Sequence, residues 1–280
     1  MISAGLEMDE VSVIIPTWNR GSMIRKAILS VLKQDVLPLE ILVCDDGSTD
    51  NTERIVKEFG DPRVRWLPGC HAGRPAVPRN RGILESKGEW LAFLDSDDAW
   101  LPKKLERQLE TVKEQGCKAS CTNAVRYVPG KGDLGSLLTW RKHRITLADL
   151  IGKNVIICSS ALIHRSVLNR AKGFPEETSL RALEDYALWL RISTETDFAY
   201  VEEPQVIYLD DVENSIRAES ENVLAQRSRV LANLSGWART QKIALDYRKR
   251  IERALFKNAV LTIMADSVQA VSRLKRKLYQ

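Results

Sequence analysis

The chain has 280 residues, 44% of them hydrophobic and 28% charged, enough for one large α/β domain with an appendage and outside the disordered and fibrous classes. No run approaches the roughly 18–20 apolar residues that cross a bilayer, and the N-terminal MISAGLEMDE is short and acidic, unlike a signal peptide, so the chain reads as cytoplasmic. Its net charge of +5 is uneven: residues 215–280 hold 14 Lys and Arg against 5 Asp and Glu, a net of +9, and residues 1–214 carry a net of −4.

The first hundred residues alternate short β-type runs with helical stretches, the pattern of a parallel sheet built by right-handed crossovers. Residues 11–16 read as a strand and 23–34 as the amphipathic helix after it. Residues 39–46 form a second strand, and the Gly47-Ser48-Thr49-Asp50 turn supplies N-caps for a helix running to Phe59. A third strand covers 64–67, a helix 76–86, and a fourth strand, WLAFLD, covers 90–95, apolar as a strand covered on both faces should be. Pro102 opens a helix to Gln115. Beyond it the pattern loosens: a strand over 118–127, a glycine-rich mobile loop over 129–136, an apolar run over 155–164, a helix over 183–193, and two short strands over 198–201 and 206–209. From about Ser220 onward glycine and proline are scarce, so two or three helices are expected.

Three of these strands end in polar clusters: Thr17-Trp18-Asn19-Arg20, Asp45-Asp46, and Asp95-Ser96-Asp97-Asp98. In an open parallel sheet the strands' carboxyl ends share one edge, where ligands bind. The GxGxxG of a dinucleotide fold and the GxxxxGK[ST] of a phosphate loop are both missing. Crowded carboxylates repel unless a cation neutralises them, and magnesium or manganese favours such oxygens together with substrate phosphates.

VSVIIPTWNR, ILVCDDGSTDNT, PRNRGI with GEWLAFLDSDDAWLP, and KGFPEE with LEDYALWLR resemble, in order and spacing, the catalytic domain of glycosyltransferase family 2 over residues 11–210. The resemblance implies a single type A domain over 9–214, α/β with a mostly parallel central sheet flanked by helices. Its nucleotide-binding half spans 9–100 and its acceptor-side half 101–214, and 215–280 form a basic helical extension. It implies a donor site of Pro16, Thr17, Trp18, Asn19, Arg20 and Asp46, with Trp18 stacking on a uridine-type base. Arg79 would face the phosphates, Asp95 and Ser96 complete the donor site, and Asp97 with Asp95 would hold Mn2+ or Mg2+. Pro78 stands where the family usually has alanine, so the local backbone is expected to differ.

Glu184-Asp185 match the family's ED pair, implying Asp185 as the base that takes the acceptor's proton and Glu184 as its orienting neighbour. The implied activity is inverting, metal-assisted hexosyl or hexosaminyl transfer from a UDP-sugar to a glycan or lipid-linked hydroxyl, as in surface polysaccharide assembly. A nucleotidyltransferase would need a glycine-rich, lysine-bearing loop that PTWNRGS is not, and a non-catalytic sugar-nucleotide-binding scaffold would lack the carboxylates present here. No nucleic-acid partner is indicated. The five scattered cysteines suit neither a disulfide framework nor a zinc site. Of His71, His143 and His164, only His71, in the loop 69–73, is a pocket candidate. The basic tail interleaves cations with apolar residues, leaving three roles open: packing on the domain, pairing with a second copy, or peripheral contact with an anionic membrane.

Overall fold

A computed structural model describes residues 9–211, 222–241 and 243–278. The chain begins with β1 (Val11–Thr17), buried throughout. Helix α1 (Ile24–Leu32) turns Ile24, Ala27, Ile28 and Val31 inward at helical spacing. The fully buried β2 (Glu40–Asp45) follows, then α2 (Thr52–Lys57) and the half-buried edge strand β3 (Val64–Leu67). Helix α3 (Ala76–Glu85) lies close against the sheet, because a Cβ at Gly82 would stand 2.7 Å from both Cys44 Sγ and Ile14 Cγ2. The buried β4 (Trp90–Phe93) completes this half. Val13 pairs with Ile41, Val11 with Trp90 and Ile41 with Val64, all in parallel, so β1, β2 and β4 deliver their polar ends to one edge.

The second half runs β5 (Ala99–Trp100), α4 (Lys104–Gln115), β6 (Ala119–Val128), β7 (Gly132–Ser136), β8 (Arg144–Ile145) and α5 (Leu147–Gly152). A 3-10 turn (Cys158–Ser160), β9 (Leu162–His164) and α6 (Arg165–Ala171) follow. A second 3-10 turn (Thr178–Leu180), α7 (Glu184–Ile192) and β10 (Phe198–Leu209) complete it. The sheet order is β3-β2-β1-β4-β9-β6-β10-β5, with β7 on β6 and β8 on β10. Long ladders between β3, β2, β1 and β4 and between β6 and β10 are parallel; the antiparallel ones, including both sides of β9, are short. The sheet is therefore mostly parallel and flanked by helices, as expected.

Several boundaries differ from expectation for identifiable reasons. Residues 129–136 form the turn and return strand of a β6–β7 hairpin rather than a loose loop, with Gly130 and Gly132 at φ 77° and 79° supplying the left-handed turn. The two short strands expected over 198–209 are one strand, β10, with a register break around Pro204, which has no N–H to give the ladder. The apolar run 155–164 splits into the 3-10 turn and β9. Helix α3 runs straight through Pro78 in its first turn, where an N–H has no helical partner to lose.

The chain divides into two units, 1–216 and 217–280. The expected junction at 214 and 215 lies outside the described residues. The second unit holds α8 (Val223–Thr240) and α9 (Leu245–Leu278). Asn258 Nδ2 of α9 donates to Leu224 O at 3.0 Å and Ser228 Oγ at 2.6 Å, fixing the register between the two helices. Among the described residues no helix is long and apolar enough to cross a membrane.

Candidate active site

The turns after β1 and β2 are bolted together by local polar bonds. Asn19, at φ 51°, donates its backbone N–H to Ser48 Oγ at 2.8 Å and accepts Thr49 N–H on Oδ1 at 2.8 Å. Arg20 N–H reaches Thr52 Oγ1 at 3.0 Å and Gly21 N–H reaches Asp50 Oδ2 at 3.1 Å. Asp45 closes its own turn by accepting Gly47 and Ser48 N–H. Pro16 is buried inside β1 opposite Cys44, forming part of the frame. Thr17 is buried, its hydroxyl without a partner among the described residues, and Trp18 stands 47% exposed at the edge. Trp18 stacks on His71 at 4.5 Å with ring planes 26° apart. Asp46 N–H donates to Thr17 O, while its two carboxylate oxygens accept Ala72 and Gly73 N–H, each at 2.9 Å. Asp46 thus spends its charge on the loop 69–73.

Beyond β4 the acidic cluster separates into different environments. Asp95 N–H donates to Ser159 Oγ at 3.0 Å, and that hydroxyl donates to Asp98 Oδ2 at 2.5 Å. Asp98 Oδ1 takes Leu209 N–H at 2.8 Å, tying the cluster to the end of β10. Burial, and then the charges of Asp97 and Asp95, hold the Asp98 carboxyl well above the usual carboxylate range, so it belongs to the frame. Asp97 is also pushed up, by burial first and Asp95 second, with Arg20 pulling it down. It makes no ion pair among the described residues. Ser96 is buried between them.

Arg79, the fourth residue of α3, joins this cluster to the far end of the chain. Its NH2 donates to Asp95 Oδ1 at 2.7 Å and its NH1 to Glu184 Oε1 at 2.9 Å, with both the arginine and the glutamate buried. The two charges and the hydrogen bond to Asp95 hold the guanidinium protonated against burial. Arg79, expected to face the donor phosphates, here links two acidic motifs. Asn80, next along α3, clamps the KGFPEE segment: Nδ2 donates to Phe174 O at 2.8 Å and Glu176 Oε1 at 2.7 Å, and Oδ1 accepts Phe174 N–H at 2.8 Å. Gly173 makes room, because a Cβ there would meet Asn80 Oδ1 at 2.6 Å.

Glu184 and Asp185 open α7. Glu184 Oε2 is buried without a hydrogen-bond partner among the described residues. Asp185 keeps some surface open but sits deep among protein atoms, and burial followed by the Glu184 charge raises it to about 7, against the pull of Arg79. A carboxyl poised near neutrality suits proton transfer. Cys158 lies in the same field of Arg79, Asp95, Asp185 and Glu184, and burial keeps its thiol protonated.

This constellation sits at the sheet edge where the chemistry was expected, and residues 12–171 match the glycosyl transferase family 2 profile. The chain belongs to glycosyltransferase family 2. Over 196 residues, 69% of this chain and 74% of the relative, it is 34% identical to the UDP-Glc:alpha-D-GlcNAc-diphosphoundecaprenol beta-1,3-glucosyltransferase WfgD of Escherichia coli. Its fold is that of S. aureus TarS residues 1–349 in complex with UDP-GlcNAc, with a TM-score of 0.67 and 19% identity, covering 89% of this chain and 71% of that one. It also resembles the mannosyltransferase PcManGT from Pyrobaculum calidifontis in complex with GDP-Man and Mn2+, with a TM-score of 0.55 and 19% identity, covering 95% and 78%. The family 2 chain is a glycosyltransferase with the type A fold.

The resemblance read from the sequence implies a divalent cation. Among the described residues no group of three or more His, Cys, Asp or Glu side chains forms a metal cage. Asp97 and Asp95 nevertheless fit a cation shared with a diphosphate, since Asp97 is a half-buried carboxylate with no ion-pair partner among the described residues, close enough to Asp95 for their charges to repel. Sequence reading missed Ser159 and Cys158. Both sit in an apolar run that reads as a strand, and only the polar pair Ser159-Ser160 within it hints at a different use.

Proposed function

We propose that this glycosyltransferase moves a hexosyl or hexosaminyl group, with inversion, from a uridine-diphosphate donor to a hydroxyl of a lipid-linked or polymer-borne glycan in cell-envelope polysaccharide assembly. The observation that carries the reading is the Arg79 bridge, which sets the acidic loop after β4 against the Glu184-Asp185 head of α7. The donor's diphosphate belongs beside Asp95 and Asp97, and the acceptor hydroxyl beside Asp185. Asp185 takes the hydroxyl proton as the acceptor oxygen bonds to the anomeric carbon, and the bond from that carbon to the diphosphate breaks with its electron pair leaving on phosphate. A divalent cation held by Asp97 and Asp95 would offset the charge that builds on the leaving diphosphate. The nucleotide falls to residues 9–100 and the acceptor to 101–214. Support for donor and acceptor class comes from the E. coli relative, named for UDP-Glc and a diphosphoundecaprenol acceptor, and from TarS, whose fold holds UDP-GlcNAc.

A screen of nucleotide sugars with a polyprenyl-diphosphate-linked acceptor, reading free diphosphate with and without Mn2+, tests the reading; turnover with a guanosine or cytidine donor alone would sink it. Asp97→Asn should raise the Mn2+ concentration for half-maximal transfer about a hundredfold, since one carboxylate must then hold the shared cation. Unchanged metal dependence would remove Asp97 from the metal site.

The basic extension contributes a surface that suits a lipid-borne acceptor. On α9, Phe256, Val260, Leu261 and Met264 are exposed apolar side chains, and Lys249, Arg250, Arg253 and Lys257 are exposed cations on the same stretch. Such a face lies on anionic lipid, each near-surface cation adding about 1 kcal/mol. The full chain should co-sediment with anionic vesicles at low salt and lose them as salt rises; recovery in the supernatant at low salt would assign the face to packing or to a second copy.

A further inference from the structure

β4 ends at Phe93, and the amides there still find backbone acceptors: Phe93 N–H donates to Ala161 O at 3.2 Å and Leu94 N–H to Ile14 O at 3.1 Å. The next amide, Asp95 N–H, takes a side-chain oxygen instead, Ser159 Oγ at 3.0 Å, 64 positions along the chain. The same hydroxyl donates to Asp98 Oδ2 at 2.5 Å, so one oxygen holds both the first and the last residue of the Asp95–Asp98 turn. Within the turn Asp98 N–H closes on Asp95 O at 3.1 Å. Asp97 lies between these anchors. Asp95 has given Oδ1 to Arg79 at 2.7 Å, which leaves Oδ2 as the oxygen it can offer a cation. Ser159 is fully buried and its own backbone is fixed. Trp100 Nε1 donates to Ser159 O at 2.7 Å and Gln108 Nε2 to Ser160 O at 2.9 Å. The buried Lys104 donates to Gln108 Oε1 at 2.6 Å, which orients that amide toward the 3-10 turn. Polar groups this deep are costly unless paired, and what the set delivers to the acidic turn is one hydroxyl in a fixed place.

We propose that Ser159 is a positioning residue for the divalent cation: by holding Asp95 N–H and the Asp98 carboxyl together, it sets where the carboxylates of Asp95 and Asp97 stand before the cation arrives. The inference rests on the cation reading above. Like charges held close repel, so an unclamped turn relaxes until the two carboxylates stand farther apart, and a cation must then work to bring them back. Groups behind a metal ligand act through such orientation, and removing one weakens metal binding about 10–100-fold. Ser160, the next residue, is equally buried, but its hydroxyl donates to Ile157 O at 2.7 Å and makes no hydrogen bond to either aspartate among the described residues. It supplies the control.

The test is Mn2+ binding to the full chain in the presence of UDP, read from the electron paramagnetic resonance of the free ion, which needs no turnover. Ser159→Ala should raise the Mn2+ concentration at half-saturation about tenfold or more, while its affinity for UDP in metal-free buffer stays at the native value. Ser160→Ala, which also loses a buried hydrogen bond, should leave the Mn2+ midpoint unchanged. If the alanine variant at 159 does not fold, Ser159→Cys keeps the shape with only a weak acceptor and should show a smaller loss in the same direction. A native midpoint in a folded Ser159 variant, or equal losses in the Ser159 and Ser160 variants, overturns the proposal. A native protein that takes up no Mn2+ with UDP instead overturns the cation reading itself, before any variant is made.

Discussion

Asp185→Asn should lower turnover by about 10²–10⁴-fold while leaving UDP affinity unchanged, because a positioned base contributes on that scale and touches the acceptor rather than the nucleotide. The native enzyme should carry the same group in its pH profile. Burial and the neighbouring Glu184 raise Asp185 to about 7. It is therefore protonated and idle as a base below that value, so turnover should rise with pH through about 7 and level above it. The sign for stability is opposite. A carboxyl whose folded value is raised costs stability progressively above its ordinary range, the full cost being present above about 7. The Asn variant, free of that cost, should melt no lower than the native chain at pH 8. Lost UDP affinity with turnover retained would make Asp185 a binding residue, and a turnover profile flat from pH 5 to 8 would remove it as the base.

What the sequence made legible is what local pattern controls. β1, β2 and β4 are apolar runs that stop in polar clusters, so both the parallel sheet and the edge carrying the site followed from them. The environments of those clusters did not. Asp95, Asp97 and Asp98 look equivalent in DSDD, yet Asp98 faces Ser159 and the N–H of Leu209, 111 positions away, and only Asp97 is left without a strong partner. That Asp46 also accepts two N–H groups of the loop 69–73 is likewise not written in the DDGS pattern. The hairpin at 132–136 was obscured by its own glycines, which serve a tight left-handed turn as readily as a loose loop. Each miss concerns partners chosen by tertiary contact, on which neither periodicity nor composition bears.

The Arg79 bridge yields the other large effect, and it separates two uses of the same side chain. If Arg79 mainly gripped donor phosphates, Arg79→Leu would raise the donor's Michaelis constant and leave the fold intact. The structure places it between Asp95 and Glu184, which is buried with its second oxygen unpartnered among the described residues. Removing the cation leaves a buried carboxylate uncompensated, which costs about 3–5 kcal/mol. In a domain of this size that lowers the melting temperature by something on the order of 10 °C. Arg79→Lys should recover only part of it, because a single ammonium lacks the planar fork that meets two carboxylates from opposite sides. The bridge also tunes the base. Arg79's charge pulls Asp185 down while burial and Glu184 push it up, so in the Leu variant the rising limb of the pH–turnover curve must move to higher pH. A melting temperature within a degree of native, or a limb that stays put or moves to lower pH, would show that the arginine's charge is spent elsewhere.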